Sequence, residues 1–376
     1  MRIGIDATAL PPQPVGAGNY IIQLIRTLSN LESEFEFVIF AQPDRWQLIS
    51  AKEHKGIHWV KTPSFDPGIR LIWEQTLLPR LVRQSGVDLL HSLHYTRPYL
   101  LSCPSVVTFH DMTFFLYPHL HTRIKRVFFP LAIRLSARTA QSLIADSEST
   151  RQDVIRILQI PSKKIVSIPL GVDQKFRVID DPLVLERVRR DYKLPDRFIL
   201  YVGLIEPRKN VPLLIRAYKN LFDQGFTVPL VIVGRFGWMY EAVLDQIEGF
   251  GLKEQVQFTG YVSGRDLPVI YNLADISVYP TQYEGFGFPA LEAMACGVPL
   301  VTSAVSSLPE IVGDAGILIP PDDEGALTEA IANVLRNPDL HAELARKGPI
   351  QAAQFSWEQT AQKTIQVYRQ VLKVQA

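Results

Sequence analysis

Two glutamates eight residues apart, Glu284 and Glu292, flank the run Gly285-Phe286-Gly287-Phe288-Pro289. A helix interior disfavours those glycines, and an apolar core disfavours the carboxylates. The spacing reads as a strand over Asp275–Tyr279, a loop to Gly287, and a helix opened by Phe288 and Pro289, where proline's missing N–H costs nothing. Gly297 ends that helix, and Val298-Pro299 launches the next strand. The loop then lies at the C-terminal edge of a parallel sheet, where open α/β folds bind ligands, and the N–H groups at the helix start attract an anion. Glu292 leans back toward that end of the helix, and Glu284 approaches it from the loop. The plainer alternatives are a chance pair of glutamates or a capping role for one of them.

Three further sets of residues follow strands. Gly203-Leu-Ile-Glu-Pro-Arg-Lys-Asn210 places Arg208 and Lys209 after the strand Phe198–Val202. Paired cations there suit a diphosphate, arginine as a planar fork and lysine as a point charge; a basic surface turn is the alternative. Val15-Gly-Ala-Gly-Asn-Tyr20 brings Gly16 and Gly18 after the first strand, a loop that allows close backbone approach to phosphate. It lacks the full dinucleotide fingerprint and also reads as a tight turn. Phe109-His110-Asp111 ends another strand, and His110 there is either a reactive-edge group or a structural hydrogen-bonding one.

The elements that must position these residues alternate between strand and helix. The first half predicts strands at Arg2–Asp6, Phe35–Phe40, Ile57–Val60, Asp88–His91, Ser105–Phe109, Gln141–Ala145 and Lys164–Ile168, with helices such as Asn19–Leu28 and Ile69–Arg83 between them. The second half predicts Phe198–Val202, Leu230–Val233, Val256–Thr259, Ile276–Tyr279 and Leu300–Thr302. Such alternation means parallel sheets covered on both faces, and the strand count is too high for one sheet. The reading is α/β, two doubly wound parallel-sheet (Rossmann-like) domains facing across a cleft. The first covers 1–175, joined by a C-terminal helix over 357–376 that crosses back to it; the second covers 176–356.

Composition fits a globular protein: 376 residues, 47% apolar, 20% charged, formal net charge +1. That charge gives no global reason to expect nucleic acid as a partner. Cys103 and Cys296 form no metal-ligand pattern, and no acidic cluster has metal-site spacing. Asp6 interrupts any apolar run of the kind a signal peptide needs, and no stretch approaches the roughly 20 apolar residues of a membrane span. A cytoplasmic protein is expected.

The sequence resembles the family 4 retaining glycosyltransferases of GT-B fold over nearly its whole length. Glu284-Gly-Phe-Gly-Phe-Pro-Ala-Leu-Glu292, Ala295-Cys-Gly-Val-Pro299, Glu206-Pro-Arg-Lys209 and Ser307-Leu-Pro-Glu310 carry the likeness. The resemblance implies that Glu292 binds the nucleotide ribose, and that Glu284 with the Phe286-Gly287 backbone holds the donor sugar. It implies that Arg208 and Lys209 bind the diphosphate, that Gly16 faces phosphate, and that His110 lies beside the sugar's reactive face. Many members carry arginine where this chain has Leu204, which shifts that work to Arg208. Gly18 and Phe288 complete the expected donor set. Trp73-Glu-Gln75 and Glu206-Pro-Arg-Lys-Asn210 look most like bacterial cell-surface polysaccharide mannosyltransferases, so the expected donor is GDP-mannose, without cofactor or metal, and the acceptor a saccharide or lipid-linked saccharide. A nicotinamide-dependent oxidoreductase resting on Gly16–Gly18 and a non-catalytic sugar-nucleotide binder are the rival readings.

No acidic residue lies between Asp111 and Asp146, whereas Arg123, Lys125, Arg126, Arg134 and Arg138 do. On a helix the arginines share one sector, with Ile124, Phe128, Leu131 and Leu135 beside them and Pro130 interrupting. Segment 123–138 is expected either to lie on an anionic membrane surface or to be a solvated face over a core stripe.

Overall fold

The computed structural model describes residues 1–49, 56–64 and 67–373. The chain divides into two compact units, Met1–Gly171 with Ser356–Ala376, and Val172–Phe355.

The first unit is built on seven parallel strands: β1 (Arg2–Asp6), β2 (Glu36–Ala41), β3 (Ile57–Lys61), β4 (Leu89–Ser92), β5 (Ser105–Phe109), β6 (Ser142–Ala145) and β7 (Ile165–Ser167), in the order β3-β2-β1-β4-β5-β6-β7. β4 and β5 are buried along their whole length, as expected of central strands covered on both faces. The helix Ala17–Asn30 turns Tyr20, Ile21, Leu24, Ile25 and Leu28 inward, a helical repeat of apolar residues. The last helix, Trp357–Leu372, is capped by Ser356, whose Oγ accepts from Gln359 N at 3.2 Å, and it packs on Ala17–Asn30. Val374, to which the sequence pattern extends this helix, lies outside the described residues. Gly171 is required where the chain passes under that helix start: a Cβ there would lie 2.2 Å from Trp357 N.

The second unit holds β8 (Ile199–Val202), β9 (Leu230–Val233), β10 (Val256–Gly260), β11 (Ile276–Tyr279), β12 (Leu300–Ser303) and β13 (Ile317–Ile319), all parallel, in the order β10-β9-β8-β11-β12-β13. Each sheet therefore reverses its order once, between β1 and β4 in the first unit and between β8 and β11 in the second. Loops leaving adjacent strands diverge there and open a crevice for ligands.

Two details differ from the sequence reading. β13 was not predicted, because three residues between Gly316 and Pro320 give no alternation to read. Ile69–Arg83 is two helices, Pro67–Thr76 and Leu78–Gln84. Pro79 lacks the N–H that would continue the first ladder.

Candidate functional site

At the β8/β11 reversal the two loops are tied together by one backbone and one side-chain hydrogen bond to the same carbonyl. Gln282 N donates to Arg208 O at 2.9 Å, and Thr281 Oγ1 donates to the same carbonyl at 3.1 Å. The turn Pro207–Lys209 after β8 is a single 3-10 turn that delivers two adjacent cations. Arg208 Nη2 donates to Glu206 Oε1 (2.9 Å) and Nη1 to Tyr283 O (2.6 Å), with Nη1 also 3.0 Å from Glu284 Oε1. Lys209 Nζ donates to Glu284 Oε1 at 2.6 Å and to Tyr279 OH at 2.5 Å. Tyr279 OH and Thr281 Oγ1 add hydrogen bonds to Glu284 Oε1 at 2.7 and 2.8 Å.

The hydrogen bonds from Lys209, Tyr279 and Thr281 thus converge on one oxygen of Glu284, Oε1. Burial by itself pushes this carboxyl up; Arg208 and Lys209 override it and hold it at about 2, so it is ionised at neutral pH. The same burial, with Arg208 alongside, pulls Lys209 below its ordinary value against the opposing pull of Glu284. The two cations remain the more accessible members, with side chains 19% and 12% exposed.

The loop carrying Glu284 is braced from the next strand's loop. Glu284 N donates to Ser306 Oγ (2.8 Å), and Ser307 Oγ donates to Glu284 O (3.1 Å) and Phe286 O (2.7 Å). Phe286 is buried and meets Phe288 edge-on. Gly287 caps the helix Phe288–Ala295 at φ +103°, where any Cβ would also lie 2.7 Å from Leu308. This position admits only glycine without strain.

Glu292, one turn into that helix, belongs to a different set. Its Oε2 accepts from Tyr271 OH at 3.3 Å, and burial pushes its carboxyl up to about 8, with Lys175 pulling the other way. The two glutamates of one motif are therefore in opposite protonation states at neutral pH.

In the first unit, Gly16 caps the helix Ala17–Asn30 at φ +50°, with open space where its Cβ would be. Gly18 is packed against Pro14 and Pro11. His110 follows β5 with both ring nitrogens engaged: Nδ1 lies 2.6 Å from Asp146 Oδ2, and Nε2 lies 2.9 Å from Leu93 O. Burial lowers its pKa, and Asp146 more than compensates, so the ring is held above its ordinary value.

The structure brings Arg208, Lys209 and Glu284 into one cluster and keeps Glu292 with Tyr271. Glu206, Tyr279, Thr281 and Ser306 were not anticipated as members; Tyr279 and Thr281 were signalled only by standing at the end of a strand. Among the described residues no group of three or more His, Cys, Asp or Glu side chains is arranged to hold a metal ion, and no helix is long and apolar enough to cross a membrane.

Residues 14–176 match the family model described as Glycosyltransferase Family 4, and residues 186–351 match Glycosyl transferases group 1. O-antigen chain mannosyltransferase B of Escherichia coli is 34% identical over 281 residues, 74% of this chain and 73% of that protein. WaaG, described as a glycosyltransferase involved in lipopolysaccharide biosynthesis, shares the fold with a TM-score of 0.75 at 17% identity, over 97% of this chain and 99% of that one. Anabaena Alr3699/HepE, solved in complex with UDP-glucose, does so with a TM-score of 0.77 at 19% identity, over 98% and 100%.

Proposed function

This chain belongs to the group 1, family 4 glycosyltransferases, and from that membership we propose that it moves mannose from GDP-mannose, with retention, to a saccharide or lipid-linked saccharide of a cell-surface polysaccharide. The single observation that carries the reading is the pair Arg208–Lys209 held on Glu284 at the β8/β11 reversal. The name of the Escherichia coli relative supports mannose as the sugar.

Transfer develops negative charge on the departing diphosphate. Arg208, Lys209 and the start of the helix Phe288–Ala295 are preorganised to meet it, work that cations and backbone dipoles do without a metal ion. Glu284 takes a hydroxyl of the donor sugar, and Glu292 takes the ribose. A carboxylate held at about 2 by two cations is a poor nucleophile, which argues against a double displacement through Glu284. The acceptor oxygen instead attacks the anomeric carbon on the leaving-group face. The bond from that carbon to the phosphate oxygen breaks, and the acceptor proton passes to the departing diphosphate.

A screen of nucleotide sugars by thermal stabilisation tests the donor, because a bound donor raises the midpoint by mass action. GDP-mannose should give the largest shift, and activity with it should survive EDTA. A larger shift with UDP-hexoses would overturn the mannose assignment, and loss of activity in EDTA restored by Mg²⁺ would overturn metal independence.

The helix Arg123–Thr139 supports a membrane-facing acceptor. It runs unbroken through Pro130 and buries Ala132, Ile133, Ser136 and Ala137, leaving Ile124 82%, Val127 66% and Leu131 63% exposed. The stripe of Ile124, Phe128, Leu131 and Leu135 faces solvent, which favours the membrane reading over a core stripe made of those residues. All five cations of this helix are exposed; Arg126 donates to the carbonyls of Pro118, His119 and His121 and Arg134 lies over the Phe115 ring, so the three to change without disturbing those contacts are Arg123, Lys125 and Arg138. Flotation with anionic but not neutral liposomes is expected, weakened when those three become glutamine; equal recovery from both lipids contradicts it.

A further inference from the structure

The loop after β4 lies at the first sheet's own reversal, beside the loop after β1, and the donor reading makes no use of it. Glu74 and Gln75 hold it in place. Thr96 Oγ1 and Arg70 Nη1 both donate to Glu74 Oε2, at 2.7 and 2.9 Å, and Gln75 Nε2 donates to Glu74 Oε1 and to Arg97 O, each at 2.9 Å. Tyr99 N donates to Gln75 Oε1 at 3.1 Å. From the other side Arg70 reaches Thr8 Oγ1 at 3.5 Å, and Thr8 donates through N and Oγ1 to Asp6 Oδ1.

His94 stands within this frame and differs from its neighbours. His91 spends both ring nitrogens on Tyr368 OH (2.7 Å) and Thr108 Oγ1 (2.8 Å), and His110 spends both on Asp146 and Leu93 O. The His94 ring packs edge-on to Tyr95 at 4.6 Å and 5.5 Å from His110, yet its Nδ1 is buried with no hydrogen-bond partner. His94 is not fully buried as a residue, and with Nδ1 enclosed its Nε2 is the nitrogen free to meet a ligand. Burial, with His110 and Arg70 nearby, holds the imidazole well below its ordinary value, so it is neutral at physiological pH. A neutral imidazole nitrogen held out at a sheet reversal matches a hydroxyl, which donates or accepts to suit either tautomer.

We propose that His94 contacts the saccharide acceptor, its imidazole Nε2 hydrogen-bonded to a hydroxyl of a sugar bound at the β1/β4 reversal. This rests on the transfer reading, and the test separates the two. The full chain is labelled with ¹⁵N-histidine, the His94 signals are assigned with His94→Gln, and methyl α-D-mannoside is added. In parallel, mannosyl transfer, GDP affinity and melting temperature are measured for wild type, His94→Ala and His94→Gln. The mannoside should move the His94 ring signals and leave those of His91 in place. His94→Ala should lower kcat/KM for the acceptor about tenfold, the worth of one hydrogen bond left unmade, with GDP affinity and melting temperature near wild type. His94→Gln, which keeps a donor and an acceptor, should recover part of the loss. Unmoved His94 signals at saturating mannoside, or wild-type acceptor kcat/KM in His94→Ala, would overturn the proposal. A His94 response in a protein that transfers no mannose would uphold the sugar contact and overturn the transfer reading instead.

Discussion

The two sheets reverse their strand order in the same way and fill the two crevices differently. At β8/β11 the ions themselves stand at the opening: Arg208 and Lys209 share one oxygen of Glu284 and keep part of their surface in solvent. At β1/β4 the ion pair Arg70–Glu74 is set behind the loop, with side chains 10% and 1% exposed, and the outward group is the neutral ring of His94. One topology thus yields one reversal where charges face out and another where charges only hold the loop. The choice lies in whether the cations follow the strand directly, as after β8, or come from a helix packed over the loop, as Arg70 does.

The sharpest way to break this contrast is to remove the outward cations. Arg208→Ala and Lys209→Ala should each lower turnover by about 10²-fold or more at saturating donor, since each takes charge stabilisation from the leaving group. Near-normal turnover in both would erase the distinction. Melting curves accompany the assay, because either change strips a partner from buried Glu284, a loss of about 3–5 kcal/mol where a buried pair is broken.

Acid stability sharpens it next. The Glu284 carboxyl lies at about 2 in the folded chain against its ordinary 4.5, so its stabilisation is complete above pH 4.5 and drains away as pH falls toward 2. The loss amounts to about 3 kcal/mol and should show in urea midpoints taken across that range. Glu284→Gln should flatten that part of the profile; an unchanged slope contradicts the pairing.

An effect of opposite sign belongs to Glu292. Its carboxyl, raised to about 8, keeps its proton in the folded chain after the unfolded chain has lost it. Stability therefore declines as pH rises from 4.5 to 8, and Glu292→Gln should remove that decline. A profile that Glu292→Gln leaves unchanged would mean the carboxyl is ionised, like Glu284.

Much of this arrangement was legible in the sequence, for a local reason. Arg208, Lys209 and Glu284 each stand a few residues beyond a recognisable strand, so their place at a sheet edge follows from pattern alone. Their sharing of a single oxygen depends on β8 lying beside β11, a matter of strand order, which no local pattern reports. The brace from Ser306 and Ser307 depends equally on β12 being the next strand over. His94 was hidden because His91-Ser-Leu-His94 reads as the tail of a strand, and only the hydrogen-bond partners distinguish one histidine from the other. Trp73-Glu-Gln75 was noticed as a motif, but its work as a loop brace becomes visible only through contacts to residues more than 20 positions away.

The division of labour at the β8/β11 reversal is most directly tested by calorimetric titration of GDP into wild type, Glu284→Ala and Glu292→Ala, with single-turnover mannosyl transfer measured on the same samples. Glu292→Ala should bind GDP about tenfold more weakly, having lost a hydrogen bond to the ribose and left its partners unsatisfied. Glu284→Ala should bind GDP almost as wild type does and fail in transfer. The reverse pattern, with nucleotide affinity lost in Glu284→Ala and kept in Glu292→Ala, would contradict the assignment of the two carboxylates and the mechanism built on it.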